Sequence, residues 1–143
     1  MNISQRGINL IKKYEGLELK AYTCKGGKLT IGWGTTKGVT SGMVITIKQA
    51  EEFLKRDIRY FELWVDKLID VPLNQNQYDA LVSFTYNLGE GALKDSTLRK
   101  FLNQSRYDLV PAQILRWNKS KGKILPGLVR RREEESKLFA EKI

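Results

Sequence analysis

The chain has 143 residues, a length typical of one domain, and 25 Lys and Arg against 16 Asp and Glu leave a net charge of +9, which favours a polyanionic partner. It contains no His and one Cys, which argues against a Ser-His-Asp triad, a Cys-His pair, a zinc-hydrolase site and any internal disulfide. No stretch approaches the ~20 apolar residues that span a membrane, and the N-terminus lacks the apolar run of a secretory signal, so we expect synthesis in the cytoplasm.

The first third of the chain predicts a helix followed by a β-hairpin. Ser4 is a candidate N-cap for a helix that runs to about Glu15. Two short segments with Tyr, Thr and Ile follow, at Leu17–Cys24 and Lys28–Trp33, joined by the turn Lys25-Gly26-Gly27. From there to Met43 the glycines favour a loop or an irregular strand.

The remaining two thirds predict helices. Thr46 and Gln49 have the spacing of a capping box before a long helix, Ala50 to about Leu68, that ends ahead of Pro72. Apolar periodicity predicts four more helices, at Asn74–Leu88, Ser96–Leu102, Val110–Trp117 and Leu128–Phe139. The fold class is therefore α+β, with the sheet confined to one end. We expect one domain over 1–143, with a hairpin lobe at about 16–45, a helical lobe at about 70–143 plus the first helix, and a ligand cleft between them.

Glu15 is the first candidate for chemistry, because it closes the first helix directly before Gly16. Partial negative charge at a helix C-terminus disfavours an ionised carboxylate, so the group holds its proton more tightly. A protonated carboxyl group is what a glycosidase uses to protonate a leaving oxygen. The alternative interpretation is a solvated glutamate at a helix end.

Downstream motifs favour the catalytic interpretation. Eight residues separate Glu15 from Cys24 and five separate Cys24 from Thr30, which begins the run Thr-Ile-Gly-Trp-Gly-Thr. This pattern resembles the active-site hairpin of the phage-type lysozymes (endolysins), which are glycoside hydrolases. The segments 71–89, 116–119 and 125–132 are similar to the helical lobe of the lambdoid-phage branch of that family. The chain departs from the family pattern at Trp33 and Thr35, where Tyr and His are frequent.

The resemblance implies a lysozyme-like fold and an N-acetylmuramidase that hydrolyses the bond between N-acetylmuramic acid and N-acetylglucosamine in peptidoglycan, with lysis of the host cell. Glu15 would protonate the glycosidic oxygen. Cys24, on the other face of the sugar, would hold a water molecule or stabilise the oxocarbenium-like transition state, and the Thr30 hydroxyl would help to position that water. The resemblance also implies an inverting mechanism. Other interpretations stay open: Cys24 as a small buried apolar residue and Thr30 as an ordinary strand residue.

The resemblance further assigns substrate contacts in the helical lobe. It implies that Tyr86 and Asn87 line the cleft and that Arg116 contacts the substrate at its rim. Asn87 offers a donor and an acceptor for an N-acetyl group, although a turn asparagine is the competing explanation. Trp117 is expected in the core. The resemblance implies no metal and no cofactor, and we expect a monomer.

Seven Lys or Arg residues and no acid lie between Leu109 and Arg132. This basic patch, Arg116–Arg132, predicts attraction to anions of the bacterial wall or outer membrane. Alternatively it is a solvated face in which Arg130 and Arg131 pair with Glu134 and Glu135 one turn on.

Three other functions compete with lysozyme activity. A lytic transglycosylase needs only the glutamate, so Cys24 and Thr30 argue against it. A nucleic-acid-binding protein suits the charge, but the chain has no Cys-His finger and no basic helix with heptads, so we expect no nucleic-acid partner. A wall-binding module without activity is the third. Without an export signal, a lysozyme would reach the wall from the host cytoplasm only after permeabilisation of the membrane.

Overall fold

A computed structural model describes residues 1–24 and 26–142. Its helices are α1 (Gln5–Glu15), α2 (Ile47–Leu68), α3 (Gln75–Leu88), α4 (Glu90–Lys94), α5 (Thr97–Asn103), α6 (Val110–Leu115) and α7 (Pro126–Ala140). The strands pair as two antiparallel hairpins, β1 (Glu18–Thr23) with β2 (Leu29–Gly32), and β3 (Lys119–Ser120) with β4 (Lys123–Ile124). The predicted α+β class is confirmed, and none of the described helices is long and apolar enough to cross a membrane.

The helix and hairpin at the N-terminus are confirmed, with one correction at Ser4. Ser4 precedes α1, but its side chain makes no capping hydrogen bond within the helix. Its hydroxyl donates instead to the carboxylate of Asp79 on α3, so a tertiary contact anchors this helix end. The predicted turn residue Lys25 lies outside the described residues. Beyond it, the amide of Gly27 donates to Cys24 O over 2.9 Å and the amide of Cys24 donates to Lys28 O over 3.0 Å.

The two central helices begin at capping boxes. Thr46 accepts a hydrogen bond from the amide of Gln49, whose side chain accepts one from the Thr46 amide, as the sequence predicts. Asn74 and Gln77 form the same arrangement at the start of α3. Because these caps satisfy amides that the helix cannot, α2 begins at Ile47, three residues earlier than predicted.

The C-terminal half departs most from the prediction. No helix is predicted over residues 89–95, yet α4 begins after Gly89 and contains Gly91, and α7 begins at Pro126, two residues earlier than predicted. Proline at the first helical position loses no hydrogen bond. The expected confinement of the sheet to one end is wrong, because β3 and β4 form a second hairpin. Lys121 and Gly122 have positive φ values of 50° and 79°, the backbone that two-residue hairpin turns require.

Helix α3 forms the centre of the molecule and packs against α1, α2 and α7. Its residues from Tyr78 to Tyr86 are all buried, so the helix lacks a solvent-facing side over that stretch. Trp117 packs edge-to-face on Phe84, with ring centroids 5.7 Å apart, against this core as predicted. The division into a hairpin lobe and a helical lobe, and the single domain, stay predictions.

Candidate active site

A cleft of about 680 Å³ lies where α1, the loop after β2, α2 and the end of α3 meet. It is lined by Glu15, Lys28, Gly34, Thr36, Lys37, Arg56, Asp57, Tyr60, Phe61, Tyr86, Asn87, Leu88 and Gly89. The predicted residues Glu15, Tyr86 and Asn87 are among them. A second groove, of about 620 Å³ between α1 and α7, holds the ion pairs Arg6–Glu141 and Lys13–Glu134 and none of the predicted site residues.

Glu15 is the last residue of α1, and its carboxylate faces the cleft with 16% of the side chain exposed. Nη1 of Arg131 on α7 donates to Oε2 of Glu15 over 2.5 Å. On the other side, a Cβ on Gly34 would lie 3.1 Å from Cδ of Glu15, and Gly34 has a φ of +81°. A side chain at position 34 would therefore displace the carboxylate as well as strain the backbone. The carboxylate is confined between the loop and the arginine.

Cys24 and Thr30 lie at the turn end of the first hairpin, next to the cleft residue Lys28, but neither is among the residues that line the cleft. The Cys24 side chain is partly exposed, so the interpretation as a buried apolar residue is wrong. A hydrogen bond from the Thr30 hydroxyl, followed by backbone amides near Lys28 and Gly26, lowers the pKa of the Cys24 thiol. Thr30 itself is buried, and its hydroxyl donates to Lys28 O over 3.1 Å. Because a hydroxyl carries one proton, it stabilises the Cys24 thiolate when it turns from Lys28 O to the sulfur.

The helical side of the cleft is fixed by hydrogen bonds from its buried residues. The hydroxyl of Tyr86 donates to Trp33 O over 2.5 Å, so only its ring is available to a ligand, and burial raises the pKa of this phenol. Nη2 of Arg132 donates to Oδ1 of Asn87 over 2.9 Å. Because the Asn87 oxygen is engaged, its amide nitrogen is the group left for a ligand.

One prediction about the basic residues needs correction, and another, the rim contact of Arg116, stays a prediction. Arg116 ends α6 at an exposed position and is not among the cleft residues. The solvated-face interpretation is wrong for Arg131 and Arg132, because both are buried beneath the cleft. The predicted Arg131–Glu135 pair is present, with Nε 3.2 Å from Oε2, but Glu134 pairs with Lys13 across the groove to α1. The surface basic patch therefore excludes Arg131 and Arg132.

Sequence reasoning missed a second carboxylate in the cleft. Asp57 on α2 accepts a hydrogen bond from the Thr35 hydroxyl over 2.7 Å and lies 3.2 Å from Nη2 of Arg56. Tyr60, one turn later, is half-exposed in the cleft, and its hydroxyl donates to Glu90. Thr35, the position at which the family frequently has His, is thus a support for Asp57. Asp57 and Tyr60 are three residues apart on a predicted helix and therefore share one face of it. That spacing is the signal by which the sequence could have identified them together.

Comparisons with known proteins identify the relatives of this chain. The model of the Phage lysozyme family matches residues 12–135. The chain is 48% identical to the endolysin of Acyrthosiphon pisum secondary endosymbiont phage 1, covering 97% of this chain and 98% of that protein. It is 50% identical to the endolysin of Bacillus phage PZA, but covers 55% of that longer protein. The solved muramidase domain of SpmX from Asticaccaulis excentricus superposes with a TM-score of 0.90 at 34% identity, with 99% of each chain covered.

Proposed function

This chain belongs to the Phage lysozyme family and is a glycoside hydrolase that degrades peptidoglycan, and from that premise we propose that Glu15 is its catalytic acid. The bond cut is the one between N-acetylmuramic acid and N-acetylglucosamine. The observation that carries the proposal is the Glu15 carboxylate, which faces the cleft between Gly34 and the buried Arg131. The other carboxylate of the cleft, Asp57, is held by Thr35 and Arg56.

In this mechanism Glu15 donates its proton to the glycosidic oxygen as the bond from that oxygen to the anomeric carbon breaks. A water molecule adds its oxygen to the anomeric carbon from the opposite face, and the Cys24 thiolate accepts the proton that the water loses. The hydrogen bond from Thr30, which lowers the pKa of the Cys24 thiol, favours the thiolate that this step needs. Attack from the opposite face inverts the anomeric configuration, which NMR of the first product tests.

The Glu15→Gln variant tests the proposal most directly. Gln keeps the size of the side chain but has no proton to deliver, and general acid catalysis contributes about 10²–10⁴-fold. We expect Glu15→Gln to fold normally and to lose nearly all clearing of permeabilised cells. Mass spectrometry of the muropeptides released by the wild type should find reducing N-acetylmuramic acid ends.

Other outcomes would point to the competing functions. Anhydro ends in the muropeptides would indicate a lytic transglycosylase. Binding to walls without any release of fragments would indicate a module without activity. A well-folded Glu15→Gln with normal clearing would remove Glu15 from the catalytic role.

The basic surface of the second hairpin supports attraction to the anionic wall. Lys119 and Lys123 lie on β3 and β4 and are exposed, and Lys121 occupies the turn. We expect Lys119, Lys121 and Lys123→Gln to lower lytic activity at low salt and to flatten its salt dependence, because attraction is screened beyond ~8 Å at physiological ionic strength. A triple variant with the same charge change elsewhere (Lys48, Lys55 and Lys94→Gln, all exposed) is the control. Equal salt profiles in the two triple variants would contradict a specific role of the hairpin.

We also propose that the protein works as a monomer without a cofactor, a metal or a nucleic-acid partner. Arg116 would contact a longer bound glycan at the rim of the cleft. It also includes synthesis in the host cytoplasm and arrival at the wall after membrane permeabilisation. Sedimentation of the purified protein tests the monomer. Lysis of intact cells with and without a permeabilising agent tests the requirement for a membrane lesion.

A further inference from the structure

Four charged side chains form a buried cluster behind the cleft: Glu15, Arg131, Glu135 and Arg132, here called the charge quartet. Arg131, Arg132 and Glu135 are 3%, 0% and 0% exposed at their side chains. Two carboxylates face two guanidinium groups, so the formal charges balance. Buried charges persist only when they are paired, so removal of one member changes the electrostatics of the other three.

Arg131 contacts both carboxylates of the charge quartet. Nη1 lies 2.5 Å from Oε2 of Glu15, while Nε lies 3.2 Å from Oε2 of Glu135. Nη2 donates to the backbone carbonyl of Ser83 over 3.1 Å, which fixes the guanidinium plane. The guanidinium is therefore a shared counter-ion, and its attraction for Glu15 depends on the charge of Glu135.

Three side chains contact the buried carboxylate of Glu135, namely Ser83, Arg131 and Arg132. It accepts a hydrogen bond from the Ser83 hydroxyl over 2.6 Å, and Nε of Arg132 lies 2.7 Å from its Oε1. Nη2 of Arg132 also donates to Oε2 of Glu135 over 3.3 Å. The shorter Nε–Oε1 contact is an ion pair without an aligned hydrogen bond, because Nε and Nη1 of Arg132 and Oε1 of Glu135 have no hydrogen-bond partner. Glu135 is fully buried, so it acts on the cleft through the two arginines that it contacts: Arg131, which binds Glu15, and Arg132, which binds Asn87.

A general acid must carry its proton when the substrate binds, whereas an adjacent cation favours the ionised carboxylate. An unshared Arg131 would therefore work against the role of Glu15. We propose that Glu135 is a positioning residue that neutralises Arg131, so that Arg131 orients Glu15 without stripping its catalytic proton. This inference rests on the proposed role of Glu15.

Three tyrosines and several charged side chains lie around the charge quartet. Tyr14 on α1, Tyr22 on β1 and Tyr86 on α3 all have a raised pKa, chiefly because of burial, and stay neutral near neutral pH. Tyr22 also feels the charge of Cys24, and Tyr86 that of Asp57 and Arg56 across the cleft. Arg130 faces Tyr14, and Glu134 pairs with Lys13. From α6, which packs against α7, Pro111 O accepts a hydrogen bond from the Ser136 hydroxyl, and this contact involves no charged group.

The test compares pH profiles of kcat/KM on soluble peptidoglycan fragments. In Glu135→Gln the charge that competes for Arg131 is lost, so Arg131 attracts the ionised form of Glu15 more strongly. We expect the alkaline limb to move down by about one pH unit, which is about a tenfold loss at a fixed pH on that limb, with near-normal activity at the acidic optimum. Glu134→Gln, the neighbouring residue with the same charge change, should leave the limb in place.

Arg132→Met supplies the opposite change. Without Arg132, Glu135 neutralises Arg131 more fully and a cation near Glu15 disappears, so the alkaline limb should move to higher pH. This variant carries the test if melting curves find Glu135→Gln unfolded. Arg132→Met also removes the hydrogen bond from Arg132 to Asn87. That loss should raise KM but should not change the pH at which the alkaline limb falls.

Opposite displacements by Glu135→Gln and Arg132→Met would support the proposal. A uniform loss at all pH values, or unmoved limbs in folded variants, would overturn it and leave the charge quartet with a structural role. Glu15→Gln, assayed alongside, separates the two proposals. An active Glu15→Gln refutes the catalytic role itself, whereas an inactive Glu15→Gln with unmoved limbs in the other variants refutes only the role of Glu135.

Discussion

The two walls of the cleft are built in opposite ways. The hairpin wall consists of two short strands with a shift of register between Glu18 and Tyr22, and it presents a partly exposed thiol, Cys24. The helical wall rests on Arg131 and Glu135, which are held inside the core between α3 and α7. The side chain that meets water thus lies on the lightly packed wall, while the charged side chains behind Glu15 lie where solvent cannot screen them.

Gly34, at which the hairpin wall meets Glu15, offers the strongest test of this contrast. A Cβ there would lie against the carboxylate, and a rigid helical wall would leave Glu15 no room to retreat. We expect Gly34→Ala to lower kcat about 10²-fold, because a displacement of about 1 Å at a reacting group has effects of that size. The measurement is kcat on soluble fragments beside the melting temperature.

Gly38→Ala is the matched control. Gly38 has a φ of +75° and open space around its Cα, so both variants carry the backbone strain of a left-handed residue, about 1–2 kcal/mol. Both variants should therefore lose a similar amount of stability, but only Gly34→Ala should also have a lower kcat. Equal activity in the two variants would mean that the helical wall yields.

The same contrast explains what could be predicted from the sequence. Glu15, Cys24 and Thr30 lie within 16 residues of one another in a helix and a hairpin, so their spacing along the chain carries their proximity. Arg131 reaches Glu15 across 116 residues. A run of three arginines looks the same in sequence whether it faces solvent or core, and the solvated interpretation of Arg131 and Arg132 was wrong for that reason.

Local signals failed where tertiary contacts override them. Ser4 looks like an N-cap, but Asp79 of α3 attracts its hydroxyl. Gly89 and Gly91 favour a loop, yet α4 begins directly after Gly89, contains Gly91 and buries Leu93. The cap at Thr46 was predicted because both partners lie three residues apart, and no distant residue is needed to complete it.

Cys24 gives the next largest effect, on the hairpin wall. If the thiol accepts a proton from water, Cys24→Ala should lose about tenfold or more in lytic rate, within the ~10²–10⁴-fold range of acid–base catalysis. Cys24→Asp should retain activity and extend it to lower pH, because an aspartate ionises near pH ~4. Lytic rate and melting temperature of both variants are the measurements.

A bulky thiol reagent adds a control on accessibility. It should inactivate the wild type, with protection by wall fragments, and leave Cys24→Asp unaffected. The partly exposed setting of Cys24 implies that both variants fold, in contrast to a core cysteine, where a buried aspartate would unfold the protein. A fully active Cys24→Ala beside an unfolded Cys24→Asp would exclude Cys24 from the site.

Thr30 should give the smallest effect, because it acts on Cys24 rather than on the substrate. Its hydrogen bond is the largest cause that lowers the pKa of the Cys24 thiol, so Thr30→Val should raise that pKa. The rate of alkylation by iodoacetamide, followed against pH, should then rise at a higher pH than in the wild type, and the acidic limb of lytic activity should move the same way. Thr23→Val, at an exposed end of β1, should leave both profiles in place.

If the pH profile of alkylation shifts in Thr30→Val and that of lysis does not, the thiolate forms but takes no proton from water, and the hairpin wall then only shapes the cleft. If neither moves, Thr30 is an ordinary buried strand residue. A joint shift would mean that the hairpin wall tunes its own group through a local hydrogen bond, as the helical wall tunes Glu15 through buried charge.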